Sequence, residues 1–126
     1  MKIKSELKYT KDHEWVRVDG NQAVIGITDY AQGELGDIVY VEIEALDEDL
    51  QKEEVFGSVE AVKTVSDLFL PVSGKIFEVN NDLEDNPELI NEDPYGKGWI
   101  IKMEIKNIKD LNLLLDAESY KKLIEG

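Results

Sequence analysis

Apolar and polar residues alternate through residues 13–18 (His-Glu-Trp-Val-Arg-Val), break at Asp19-Gly20-Asn21, and resume through residues 22–27. A period of two predicts two strands, and Asp-Gly between them predicts a hairpin. Thr28 is placed to cap a short helix running to Leu35, with Tyr30, Ala31 and Leu35 on or near one face; Gly36-Asp37 ends it. Residues 37–43 are rich in β-branched side chains and read as a strand. Residues 44–54 are acidic and carry no strong strand signal. Three short strands are predicted at 55–62, 65–70 and 74–79, with Pro71-Val72-Ser73-Gly74 as the turn between the last two. Residues 80–94 are polar, contain Pro87 and Pro94, and read as loop with a short helix near 88–90. Residues 98–105 form a further strand. Leu111, Leu114, Leu115, Tyr120, Leu123 and Ile124 recur at helical spacing, so 110–125 reads as one amphipathic helix or as two divided near Asp116. The opening residues 1–11 are mixed and read as partly loose. Short strands closed by a terminal helix predict a small β-sandwich or barrel with helical additions.

Composition narrows the function. At 126 residues, 42% of them hydrophobic, the chain is expected to form one domain over 1–126 with its own core, a size that suits a carrier or binding module. With 14 Lys and Arg against 28 Asp and Glu, the net charge is −14. Such a field repels phosphate backbones and anionic headgroups, so neither nucleic acid nor a membrane surface is an expected partner; basic protein surfaces are favoured. The tryptophans, valine-rich runs and regular turns argue against disorder as the meaning of that acidity. The chain has no cysteine, which excludes disulfides, thiolate metal sites and cysteine nucleophiles. No signal-peptide pattern and no apolar run of about 20 residues is visible, so a cytoplasmic protein is expected, with a processed organellar form left open.

Catalytic chemistry is hard to place. His13 is the one histidine, and no nucleophile motif accompanies it; beside Trp15 at a strand start it reads as structural. The acidic runs 47–49 and 80–85 lack the glycine of a calcium loop and read as solvated. Gly96-Lys97-Gly98 is too short for a phosphate loop and precedes a strand. The informative stretch is Gly57-Ser58-Val59-Glu60-Ala61-Val62-Lys63-Thr64-Val65-Ser66-Asp67-Leu68. It places Lys63 between two strand segments, at a hairpin tip. By spacing alone such a lysine is an ordinary soluble turn residue. The functional alternative is an attachment point, an exposed amine on a rigid hairpin that an enzyme can acylate.

Nearly the whole chain, from about Leu7 to Glu125, resembles the glycine cleavage system H-protein family. The resemblance is carried by Leu7-Lys8-Tyr9-Thr10-Lys11-Asp12-His13-Glu14-Trp15, by Gly26-Ile27-Thr28-Asp29-Tyr30-Ala31-Gln32, and by Leu35-Gly36-Asp37-Ile38-Val39-Tyr40-Val41. It continues in Val59-Glu60-Ala61-Val62-Lys63, Ser66-Asp67, Pro71-Val72-Ser73-Gly74, Asn86-Pro87-Glu88-Leu89-Ile90-Asn91, Asp93-Pro94-Tyr95, Gly98-Trp99 and Leu114-Leu115-Asp116-Ala117-Glu118-Ser119-Tyr120. The ordered co-occurrence of these blocks is what makes the match specific. Departures are mild: Ile43-Glu44-Ala45-Leu46-Asp47 replaces a Leu-Pro and glycine turn, and Ala61 stands where a serine is frequent.

The resemblance implies a mainly β, barrel-sandwich hybrid (lipoyl/biotinyl-domain-like) with short helices and a C-terminal helix. It implies a non-catalytic carrier with lipoate joined by an amide to Lys63. The arm would carry an aminomethyl group from the pyridoxal-phosphate glycine decarboxylase (P protein) to the tetrahydrofolate-dependent aminomethyltransferase (T protein), and be reoxidised by dihydrolipoamide dehydrogenase (L protein). A lipoate ligase or lipoyl transferase is a further implied partner, and Glu60 a candidate for its recognition. Glu14 and Asp67, with Asp12 behind them, match positions near the cleft that holds the cationic amine, where carboxylates would make charge-assisted hydrogen bonds. Glu60 and Asp67 also read as an outward-facing and a turn-fixing residue. A monomer is expected. A lipoate relay for 2-oxoacid dehydrogenases is the alternative pathway, and a biotinyl domain is disfavoured because Val62 and Thr64, not methionines, flank Lys63.

Overall fold

The computed structural model describes residues 2–125. Strands β1 (Lys8–Tyr9), β2 (Glu14–Asp19) and β3 (Gln22–Ile27) lead into helix α1 (Asp29–Leu35). Strands β4 (Ile38–Ile43), β5 (Asp49–Leu50), β6 (Val55–Ala61), β7 (Val65–Phe69) and β8 (Gly74–Val79) follow. Short helices α2 (Asp82–Asp85) and α3 (Leu89–Glu92) precede β9 (Ile101–Ile105), a 3-10 turn at Ile108–Leu113 and the terminal helix α4 (Ala117–Glu125). All pairings are antiparallel. One sheet runs β1-β2-β3-β9-β8-β5 and the other β4-β6-β7.

Period-two patterning sorts the strands. Val16, Ile25, Ile27, Ile38, Phe56, Val59, Leu68, Ile76, Ile101 and Met103 fill the main core. Each such side chain contributes about 1.5–3 kcal/mol by leaving water. In the β2–β3 hairpin Asp19 pairs with Gln22, so Gly20-Asn21 is the loop, and Gly20 has φ 63°, the glycine-favouring region that a tight hairpin turn of this kind uses. Trp15 pairs with Gly26, where a Cβ would lie 2.6 Å from the indole. The missing side chain lets the tryptophan lie flat on its neighbour strand. A second buried cluster of Leu7, Tyr9, Trp15, Tyr95 and Tyr120 joins the opening segment to α4.

Within the opening segment, that cluster orders residues 7–9, while residues 2–4 belong to no element. Leu7 and Tyr9 are buried, and Tyr9 exchanges two 2.8 Å backbone hydrogen bonds with Leu115. In the acidic 44–54 segment, Asp49 and Leu50 pair with Lys75 and Gly74 of β8. Residues 98–100 precede β9 without joining it. Of the two readings of 110–125, the divided one holds: the 3-10 turn ends before Asp116, whose Oδ1 accepts the Ser119 amide at 2.8 Å at the start of α4. The expected mainly β sandwich, with short helices and a C-terminal helix, is observed. Among the described residues no helix is long and apolar enough to cross a membrane.

Candidate functional site

Lys63 sits at the tip of the β6–β7 hairpin. Glu60 pairs with Val65, and the Ala61 amide donates to the Thr64 carbonyl at 2.7 Å, leaving Val62-Lys63 as the two-residue connection. The tip is braced from the side. The Val62 amide donates to the Asp37 carbonyl at 3.1 Å, and Ile38 pairs with Ala61. Asn91 of α3 fixes that corner: its Oδ1 accepts the Ile38 amide at 2.9 Å and its Nδ2 donates to the Gly36 carbonyl at 2.9 Å. Lys63 itself is exposed. The ion pairs of the described residues, Lys11–Glu53, Lys102–Glu78, Lys106–Asp49 and Lys122–Glu118, do not involve it. A solvated, unpaired amine on a braced tip is what an acylating enzyme needs. Reach and freedom from competing carboxylates matter here, because acylation abolishes the charge.

Glu60 and Asp67 are exposed, on the outer face of the three-stranded sheet. Glu14 is different. It is 2% exposed, since alternation puts it on the same side of β2 as Val16. Its Oε2 accepts the Phe69 amide at 2.8 Å, and its Oε1 lies 3.3 Å from the Thr10 hydroxyl. Desolvation pushes its pKa up to about 8; the Phe69 amide opposes this and nearby Asp12 adds to it. Thr10 organises the turn ahead of β2, accepting the Asp12 and Glu14 amides at 3.2 Å each.

A cleft of about 230 Å³ opens here, lined among others by Thr10, Asp12, Glu14, Leu70 and Pro71. It therefore brings Glu14 and Asp12 together. Asp67 is not among its lining residues, and it lies two residues along β7 from the Phe69 amide that binds Glu14. Lys63 stands apart, at the opposite end of β7. Sequence reasoning missed Thr10 and Phe69. A threonine four residues before a buried carboxyl is a readable signal, but a backbone amide on a distant strand leaves none.

His13 has a structural place. It takes φ 67°, and its Nδ1 is 2.9 Å from the Tyr120 hydroxyl. Tyr120 is in turn 2.7 Å from Thr28 Oγ1, which accepts the Ala31 amide at 3.1 Å as the cap of α1. Burial lowers the His13 pKa, which favours the neutral ring. Tyr120 also stacks on Tyr9 with ring centroids 4.6 Å apart. The network ties α4, β1 and the start of α1 into one frame, and Tyr9 of this frame also lines the cleft.

A sequence model described as glycine cleavage H-protein matches residues 7–126. The glycine cleavage system H protein of Staphylococcus haemolyticus (strain JCSC1435) is 56% identical over 124 residues, covering 98% of each chain. The crystal structure of a glycine cleavage system H protein from Mycobacterium marinum superposes with a TM-score of 0.89 at 37% identity, over 98% of this chain and all of that one. The two-sheet arrangement is thus the barrel-sandwich hybrid expected from the sequence. With the match running from Leu7 through the braced hairpin to the terminal helix, the chain belongs to the glycine cleavage H-protein family, whose members are lipoyl carriers and not catalysts.

Proposed function

We propose that lipoate is joined by an amide to Lys63 Nζ and that this chain, acting as one domain, is the mobile carrier of the glycine cleavage system. The observation that carries the reading is the exposed Lys63 on a two-residue hairpin tip, outside every ion pair among the described residues. When attached, lipoate supplies a redox-active dithiolane that takes an aminomethyl group at glycine decarboxylase, yields it to aminomethyltransferase and is reoxidised by dihydrolipoamide dehydrogenase. The reading places these enzymes, with a lipoate ligase or transferase, as partners of a cytoplasmic monomer.

The chain's own residues then have distinct tasks. Lys63 anchors the arm, and Asp37 and Asn91 hold the anchor still. Glu14, in a desolvated cleft, receives a cationic amine. Arrival of the cation favours the carboxylate over the acid, so Glu14 gives up a proton as it takes the charge. Thr10 and the Phe69 amide hold its two oxygens in place throughout. Asp12 adds negative field at the cleft, whereas Asp67 stands on the hairpin's outer face, outside the cleft lining.

Intact mass after incubation with lipoate, ATP and a lipoate ligase tests the attachment. One lipoyl amide is expected on the parent chain and none on Lys63→Arg. An unmodified parent, from folded protein and active ligase, overturns the reading.

A further inference from the structure

The outer face of the β4-β6-β7 sheet is graded with distance from Lys63. Cross-strand pairing sets Tyr40, Glu60 and Val65 in the row nearest the tip, and Glu42, Ser58 and Asp67 in the next. The register shifts between Ile38 and Tyr40. This bulge turns two successive side chains outward, so Val39 is 47% and Tyr40 51% exposed. Val62 (72%) and Val65 (61%) flank the lysine directly. Single exposed apolar residues need no explanation, but four gathered around one exposed lysine form a surface that water alone does not favour.

Charge limits what covers it. Glu42, Glu60 and Asp67 share the face, and the whole chain carries a net charge of −14. A second copy would bring like charges together, which works against self-association. The complementary partner has an apolar socket bordered by Lys and Arg. Position selects among such partners. An enzyme that acts on the lysine amine must bring its catalytic groups to Nζ and must therefore cover the tip. Enzymes that act at the far end of a long arm are under no such constraint.

We propose that Val39, Tyr40, Val62 and Val65 form the docking collar for the enzyme that acylates Lys63, with Glu42 and Asp67 meeting a basic border on that enzyme. The inference rests on the assignment of Lys63 as the lipoyl site. It makes the bulge in β4 part of substrate recognition, since without it Val39 and Tyr40 could not both face outward.

The test compares kcat/KM for acylation of unmodified protein by a lipoate ligase, using lipoate and ATP. The variants are Tyr40→Thr, Val62→Thr and the Val62→Thr/Val65→Thr pair. Valine to threonine keeps the shape and the strand preference, and Val62 lies outside the strands, so melting curves are expected to overlay the parent's. Loss of apolar anchors is expected to lower kcat/KM by about tenfold, mainly through KM. Variants driven to full acylation by long incubation are expected to turn over with the other three enzymes at the parent's rate. If the parent is acylated at Lys63 and the variants react just as fast, the collar is wrong while the Lys63 assignment stands. Equal losses at acylation and at later turnover overturn the assignment to the acylating enzyme. A parent not acylated at Lys63 removes the underlying assignment, and the collar with it.

Discussion

The buried Glu14 carboxyl accepts the Phe69 amide at 2.8 Å, joining the start of β2 to the end of β7, the strand that runs from the Lys63 tip. One hydrogen bond therefore links the cleft to the hairpin across 55 residues of sequence. Its acceptor is a group whose protonation changes near neutrality.

That protonation has a sign. The Glu14 pKa is raised from the ordinary 4.5 to about 8, chiefly by desolvation. A raised carboxyl pKa favours the folded state fully below the unfolded pKa, and the advantage is lost as pH climbs through the folded one. Between about pH 4.5 and 8 the parent should therefore lose stability relative to Glu14→Gln, by on the order of a few kcal/mol. Thermal melts of both proteins across this window check it. Parallel curves would mean that Glu14 ionises as freely in the fold as in water.

The same carboxyl should protect the cargo. In protein loaded with the aminomethyl group, Glu14→Gln keeps the shape and removes the charge, so the cationic amine loses a charge-assisted partner worth about 1.5–3 kcal/mol. Release of formaldehyde and ammonia should quicken by about tenfold or more. An unchanged lifetime in the variant would leave Glu14 with a purely structural role.

Tyr120→Phe removes the hydroxyl between His13 Nδ1 and Thr28 Oγ1 while keeping the ring that stacks on Tyr9. The buried Thr28 hydroxyl and the half-buried His13 ring lose a partner, so stability should fall by about 1–3 kcal/mol. Acylation of Lys63 should be untouched, because the hairpin is braced from Asp37 and Asn91 instead. Denaturant titration read beside an acylation time course separates the two effects.

Two glycine-to-alanine changes should have opposite signs. At Gly26 the new methyl would meet the Trp15 indole at 2.6 Å, and overpacking should cost about 1–3 kcal/mol. Gly33 lies within α1 with nothing within 4 Å of a new Cβ, so Gly33→Ala should stabilise by roughly 0.5–1 kcal/mol. Urea midpoints measured side by side decide the matter; a stable Gly26→Ala would mean that the indole moves aside at little cost.

Local chemistry made much of this fold readable. Alternation gave β2 and β3, Asp19-Gly20 their turn, and Thr28 the cap of α1, because each depends on residues a few positions apart. Glu14 falls on the apolar side of β2 by the same alternation. The remainder depends on distant partners. Asp49 and Leu50 have no strand character of their own and are strand only against β8. Tyr9 is ordered by Leu115 at the other end of the chain, and its own neighbours say nothing of that. Lys63 is the sharpest case. Its spacing describes any soluble turn, and only the family resemblance of the ordered blocks around it points to the proposed attachment; the bracing by Asp37 and Asn91 emerged with the fold.

Release of CO2 from glycine by purified glycine decarboxylase, aminomethyltransferase and dihydrolipoamide dehydrogenase, with tetrahydrofolate and NAD+, bears most directly on Lys63 as the carrier's anchor. Lipoylated parent protein should support continuous turnover, and Lys63→Arg taken through the same lipoylation should support none. Turnover by the Lys63→Arg protein would contradict the anchor. A lipoylated parent that supports no turnover with these active enzymes would contradict the glycine-cleavage role.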